Sequence, residues 1–191
     1  MNLAVFVSTN GTDLQVIIDA LKNNSLKDVD LKFVLSNKED CFGLQRAKEA
    51  GFKTIYINGK DKTREEYDLE CLNVCQEHNI DLIVLIGYMR IMSKVIVDPY
   101  KERIMNIHPS LLPKYPGMDL DVHAEELSNN EKKSGCTLHW VTLNLDDGPI
   151  ILQEEVLIEP NETIETLKEK VQLKEQEVIL KGIELFRDGK L

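Results

Sequence analysis

The residues most able to do chemistry lie in Asn106-Ile107-His108-Pro109-Ser110-Leu111-Leu112-Pro113, followed further along the chain by Leu145-Asp146-Asp147-Gly148-Pro149. Asn106 and His108 are two apart at the end of an apolar run, Ile104, Met105 and Ile107. In an extended chain such a pair projects from one face. Pro109 cannot donate to a sheet ladder, so the strand is expected to end there. A polar pair at the carboxyl end of a strand lies where open α/β folds bind ligands. Asp146 is a third polar partner, supplied from a distant loop. An amide, an imidazole and a carboxylate together can hold a carbonyl, move a proton and orient the group that moves it. Each residue also has a plainer reading. His108 can be a buried histidine bonded to a carbonyl, Asn106 can cap its own loop, and Asp146 can be an Asx-turn residue.

The elements around these residues alternate. Strand-like runs occupy Leu3–Ser8, Leu31–Leu35, Thr54–Ile57, Leu82–Ile86 and Ile104–Ile107, nearly continuous in Val, Ile and Leu, as strands buried on both faces must be. Helical patterns lie between them. Leu14–Lys22 is entered through Thr12-x-x-Gln15, which has capping-box spacing. Leu44–Ala50 ends at Gly51, Arg64–Gln76 starts with a second capping box, Thr63-x-x-Glu66, and Ser93 caps Lys94–Val97. This rhythm implies an α/β fold with an open, mostly parallel sheet and helices on both faces. After residue 113 the pattern changes. Gly135–Val141 and Ile150–Ile158 read as paired antiparallel strands joined by the Asp146–Pro149 turn. A long C-terminal helix, Ile164–Arg187, follows, capped by Asn161 or Thr163, with Gly189 beyond its end. The expected organisation is one folding unit over 1–191, with an α/β lobe (1–113) and a C-terminal lobe (114–191).

Composition narrows the class. The chain has 191 residues, 42% of them hydrophobic and 29% charged, enough to bury a full core. A net charge of −10 argues against a nucleic-acid backbone as the main partner, which needs a basic footprint. No apolar run approaches the roughly 18–20 residues of a membrane span. The start, Met1-Asn2-Leu3-Ala4-Val5-Phe6-Val7-Ser8, reads as a first strand rather than a signal peptide. Cys41, Cys71, Cys75 and Cys136 complete no zinc pattern and are expected to be reduced thiols. The expectation is a cytoplasmic protein without a metal, either a monomer or a homodimer.

Two further loops sit at strand ends. Ser8-Thr9-Asn10-Gly11-Thr12-Asp13 leads into a helix whose free amides make a ready anion site. It is neither a dinucleotide fingerprint nor a P-loop, since it has one glycine and no Gly-Lys-Ser/Thr. Asp13 repels a phosphate unless it points away. Gly87-Tyr88-Met89-Arg90-Ile91-Met92 follows the fourth strand, where Met and Ile can line an apolar pocket and backbone groups can pair with a flat heterocycle. Alone, His139 reads as a satisfied sheet histidine, His123 as the start of a surface helix over Ala124–Leu127, and Glu175 as part of a solvated helix face.

With its Asp146-x-Gly148 partner, Asn106 to Pro113 resembles the signature of the 10-formyltetrahydrofolate-dependent formyltransferases. The likeness runs nearly end to end, through Gly11-Thr12-Asp13-Leu14-Gln15, Ser36-Asn37-Lys38, Gly43-Leu44-x-Arg46-Ala47, Arg64-Glu65-x-Tyr67-Asp68, Gly87 to Ile91 and Gly148-Pro149-Ile150-Ile151-Leu152-Gln153. The resemblance implies a Rossmann-like fold and transfer of formyl from 10-formyltetrahydrofolate, as co-substrate, to the primary amine of glycinamide ribonucleotide. Carried over residue by residue, it makes Asn106, His108 and Asp146 the catalytic trio. Gly11, Thr12 and Asp13 become the phosphate loop, Glu175 a ribonucleotide contact, and Arg64, Met89, Arg90, Ile91, Met92 and Asn106 the folate contacts. The first lobe then holds the phosphate and the second carries the folate side. The chain departs from the family pattern at four places. Thr9 replaces a common glycine, Asp13 a common asparagine and Gln176 a common histidine, and the segment from Pro116 to His123 is two residues longer. Other readings are a deformylase core, which normally carries an N-terminal regulatory domain, a formyltransferase for another amine, and a non-catalytic folate- or phosphate-binding protein. The tRNA-directed members normally add a C-terminal domain, and acidity disfavours that partner.

Overall fold

The structure is a computed structural model and describes residues 1–117 and 121–191. Met118, Asp119 and Leu120 of the extended segment lie outside the described residues. Among the described residues the order is β1 (Asn2–Val7), α1 (Thr12–Lys22), β2 (Asp30–Ser36), α2 (Phe42–Glu49), β3 (Thr54–Tyr56), α3 (Arg64–Glu77) and β4 (Leu82–Ile86). It continues with α4 (Lys94–Val97), β5 (Ile104–His108), α5 (Val122–Ser128), β6 (Lys133–Trp140), β7 (Ile150–Leu157) and α6 (Ile164–Arg187).

The strands form one sheet in the order β3-β2-β1-β4-β5-β6-β7. Pairings from β3 to β5 are parallel, and β6 and β7 add antiparallel. The order reverses at β1, where β2 lies on one side and β4 on the other. In open α/β sheets the crevice outside the carboxyl ends at such a switch is where ligands bind.

The alternation of β1 divides the core. Leu3, Val5 and Val7 face Leu14, Ile17 and Ile18 of α1 and the Leu167, Val171, Val178 and Ile183 stripe of α6. Ala4 and Phe6 face Tyr67, Cys71 and Cys75 of α3 and Ile96 of α4. Each large apolar side chain sealed in this way contributes about 1.5–3 kcal/mol. Helices therefore cover both faces, and the nearly unbroken apolar strands follow from that.

Caps explain most helix starts. Thr63 accepts from the Glu66 amide and Glu66 returns a bond to the Thr63 amide, closing the expected capping box of α3. Ser93 caps α4 and Thr163 caps α6. The expected box at Thr12 does not form. Gly11, with φ 61° and ψ 40°, is the N-cap of α1 and Thr12 already lies inside the helix, one position too late to cap it. Gln15 turns instead to Asp19 and Arg46. The first amides of α1 are thus left without a side-chain cap, facing the carboxyl edge of the sheet.

Candidate active site

The cleft at this edge has a volume of about 520 Å³ and gathers loops from β1, β4, β5 and β6 with one face of α6. Its centre is the end of β5. Asn106 and His108 project from the same side of that strand, which ends at His108, as Pro109 requires. Asp146 arrives from the loop between β6 and β7, which spans residues 141–149 and is longer than the four-residue turn expected. The Trp140 amide closes that loop on the Pro149 carbonyl at 3.0 Å. A side chain at Gly148 would place its Cβ 1.7 Å from the Trp140 carbonyl oxygen, so only glycine fits there. Asp146 itself takes a left-handed backbone, φ 49°, a conformation that short polar Asp tolerates.

The polar groups form one connected set. His108 Nε2 donates to the Tyr115 carbonyl at 2.7 Å, which fixes one ring proton and turns Nδ1 towards Asp146 Oδ2, 3.6 Å away. Asp146 Oδ2 also accepts from the Gly117 amide at 2.9 Å. On the other side Asp146 Oδ1 lies 3.5 Å from His139 Nε2. His139 Nδ1 donates to the Trp140 carbonyl at 3.0 Å, and its Nε2 lies 3.1 Å from Asn106 Nδ2. Unprotonated, that nitrogen accepts from the Asn106 amide; protonated, it becomes a donor towards Asp146. Burial works to raise the Asp146 pKa. The His139 bond, the Gly117 amide and the charges of the two imidazoles outweigh it and hold the carboxyl below its ordinary value.

A second set of groups lies at the α1 end of the cleft. The loop 8–13 is fastened from behind. Gly43 N–H and Cys41 Sγ donate to the Thr9 carbonyl, and Arg46 Nε donates to the Asn10 carbonyl at 2.8 Å. A Cβ on Gly11 would meet Gly43 Cα at 2.9 Å, so this glycine is required by close approach as well as by its φ. Thr12 and Asp13 line the cleft, and Glu175 of α6 lines it too. Both carboxylic acids are buried, Asp13 at 7% and Glu175 at 8% exposure. Burial raises both pKa values. The Gln176 side chain draws Asp13 partly back, whereas the Asp13 charge drives Glu175 further up.

The third wall is the loop after β4. Met89, Arg90, Ile91 and Met92 all line the cleft. Ser8 ties this wall to β1, accepting from the Met89 amide at 2.9 Å and donating to Asn37 at 2.6 Å. The Arg90 guanidinium stacks 3.9 Å over the Tyr67 ring. Arg64 stands apart, exposed in the first turn of α3 and outside the cleft lining.

Two expectations from local sequence are corrected and a third is extended. Glu175 is not on a solvated face, because it continues the buried Leu167, Val171, Val178 stripe of α6. His123 is not on the surface. It is buried in the cleft wall, 3.2 Å from Glu126, which also accepts from Ser134. His139 is a satisfied sheet histidine, as expected, but it also lines the cleft against Asp146 and Asn106. The cross-strand register that sets Asn106 opposite His139 carries no local sequence signal. Lys168 and Gln172, about two turns and one turn before Glu175, also line the cleft. The i, i+7 and i, i+3 spacings to Glu175 were the signal for these two. Among the described residues no group of three or more His, Cys, Asp or Glu is arranged to hold a metal ion, and no helix is long and apolar enough to cross a membrane.

An amide donor, two imidazoles and a held carboxylate beside an uncapped helix start suit acyl transfer to an acceptor carrying an anion. Comparison with known proteins agrees. Phosphoribosylglycinamide formyltransferase of Escherichia coli is 42% identical, over 100% of this chain and 89% of that protein. The human trifunctional purine biosynthetic protein adenosine-3 is 38% identical over 98% of this chain, which spans 18% of that longer protein. The crystal structure of glycinamide ribonucleotide transformylase 1 from Symbiobacterium toebii superposes with a TM-score of 0.93 at 34% identity, covering 99% of this chain and 88% of that one. The formyl transferase family model matches residues 1–183, and with the signature residues assembled in one cleft, the chain belongs to the formyl transferase family.

Proposed function

We propose that this protein transfers the formyl group of 10-formyltetrahydrofolate to the primary amine of glycinamide ribonucleotide, a step of purine biosynthesis, in the cytoplasm. The observation that carries the reading is the convergence of Asn106, His108 and Asp146 at one end of a cleft whose other end is the uncapped start of α1. Residues 1–113 supply the phosphate end, and residues 114–191 complete the folate side.

In this reading the first amides of α1, from Thr12 and Asp13 with the Gly11 turn, hold the ribonucleotide phosphate. Glu175 meets the same substrate further along. Met89, Ile91 and Met92 give the folate heterocycle an apolar wall, and the backbone of the 87–92 loop pairs with its edge. Arg90 closes that wall, and Arg64 meets the folate outside the enclosed part of the cleft. The acceptor amine attacks the formyl carbon, placing negative charge on the formyl oxygen and positive charge on the new nitrogen. Asn106 donates its free amide hydrogen to that oxygen, a contact of a kind worth roughly 3–4 kcal/mol of barrier. His108, protonated, stabilises the same oxygen. To do so its Nε2–H leaves the Tyr115 carbonyl, and the charge is balanced by Asp146 at Nδ1. The proton lost by the amine passes, directly or through water, towards Asp146 and His108. The intermediate collapses, the bond from carbon to the folate nitrogen breaks, and that nitrogen takes up a proton.

The test is a spectrophotometric assay of folate release with and without glycinamide ribonucleotide. Release that depends on the amine is expected. Release without it overturns the transfer in favour of hydrolysis, and silence in both points to another acceptor or to binding alone.

A further inference from the structure

Asp13 is a peculiar occupant for an anion site. It lies in the first turn of α1, where the free amides and the helix dipole favour negative charge, so its own carboxylate competes with an incoming phosphate. Asp13 is only 7% exposed, lines the cleft, and its Oδ1 has no hydrogen-bond partner among the described residues. The same cleft wall holds a second buried carboxyl, Glu175. Among the described residues the groups that act on the pair are few. From α6 come the Lys168 ammonium, which lowers Glu175, and the Gln176 amide, which lowers Asp13. From β6 comes the Cys136 thiol, held neutral by burial and by the nearby Glu175, Glu154 and Asp13 charges. Lys168 alone does not neutralise two carboxylates.

We propose that Asp13 and Glu175 share one proton at neutral pH, and that this proton is what lets a phosphate-bearing substrate dock at the start of α1. Two carboxyls buried in the wall of one cleft, away from water, do not both ionise readily. The proton sits on the pair when the phosphate arrives and is retained while it is bound. When the pair loses that proton, the resulting second negative charge stands beside the phosphate and expels it. Asp13 is therefore a specificity residue that ties substrate affinity to pH. Burial and the neighbouring Asp13 charge push Glu175 up to about 8, which sets the pH range in which the effect should be sought.

This inference rests on the reading of α1 as the phosphate site, and two measurements separate them. The first is carbon NMR of the unliganded protein with carboxyl-labelled Asp and Glu. One carboxyl carbon titrating far above the ordinary range, and absent from Asp13→Asn, is expected. Ordinary titration of every carboxyl overturns the shared proton whatever the substrate is. The second is calorimetric binding of glycinamide ribonucleotide from pH 7 to 9, where the phosphate is already a dianion. Wild-type affinity is expected to fall about tenfold over that range, one proton per site, and Asp13→Asn to stay nearly flat. A flat wild-type profile, or an equal slope in both proteins, overturns the proposal while leaving formyl transfer intact. A pair that titrates high in a protein that binds no ribonucleotide overturns its role in docking together with the reading of the site.

Discussion

The two ends of the cleft treat the same functional group in opposite ways. At the β5 end the Asp146 carboxyl is buried but surrounded by a backbone amide and two imidazoles, and its pKa is held below 3.8. At the α1 end the carboxyls of Asp13 and Glu175 are both buried in the cleft wall and both are pushed up. Burial opposes ionisation in all three, and the partners decide the outcome. The difference separates two jobs. Asp146 is a fixed negative charge that can balance an imidazolium, and under the shared-proton proposal the Asp13–Glu175 pair is a variable charge at the start of α1. Divergent environments for like groups are the usual means of dividing roles in a catalytic cleft.

The comparison can be broken most severely at His108. His108→Ala is expected to lower kcat by about 100-fold or more while far-UV circular dichroism and folate binding stay unchanged. Turnover within a few-fold of wild type would remove the mechanism assigned here. Asp146→Asn keeps the shape and deletes the charge, so kcat should fall by about 10–100-fold. It has a second readout. A carboxyl with a lowered native pKa stabilises the fold at pH above its unfolded value of 3.8, and that contribution is lost as pH falls through the lowered value. The midpoint of thermal unfolding, followed from pH 5 to 2, should therefore fall less steeply in Asp146→Asn than in wild type.

The opposite sign applies at the other end. A carboxyl whose native pKa is raised stabilises the fold below its unfolded value, 4.5 for Glu175, and loses that contribution as pH rises towards about 8. Glu175→Gln is accordingly expected to melt about 2–4 °C above wild type at pH 8, with the difference closing at pH 4.5. A variant that melts lower at both pH values would show that Glu175 is held by attractive partners and end the contrast. The smallest effect belongs to a site outside the cleft. Thr63→Ala opens the α3 capping box and should cost about 1 kcal/mol in denaturant unfolding, with kcat unchanged.

What could be read from the sequence follows the range of the interactions involved. Continuous Val, Ile and Leu runs, the Thr63 box and Pro109 act over a few residues, and the strands, α3 and the end of β5 appear where those signals lie. The resemblance of the Asn106–Pro113 and Asp146–Gly148 segments to a known family named the three polar residues that the fold brings together. Long-range geometry was harder to read. That His139 stands opposite Asn106 depends on the β5–β6 register, and that Gly11 takes the cap from Thr12 depends on its packing against Gly43. Glu175 was misread for a different reason. Its charge suggested solvent, although its spacing from Val171 and Val178 already put it on the buried stripe. The charge there answers to the cleft and the spacing answers to the fold.

The most direct test of the account follows the formyl carbon itself. With 10-formyltetrahydrofolate labelled with carbon-13 in the formyl group, glycinamide ribonucleotide and the wild-type protein, NMR should show the label moving from the folate nitrogen to an amide on the ribonucleotide. No free formate should appear, and His108→Ala should leave the label on the folate. Label accumulating as formate, or moving equally well without His108, would contradict it.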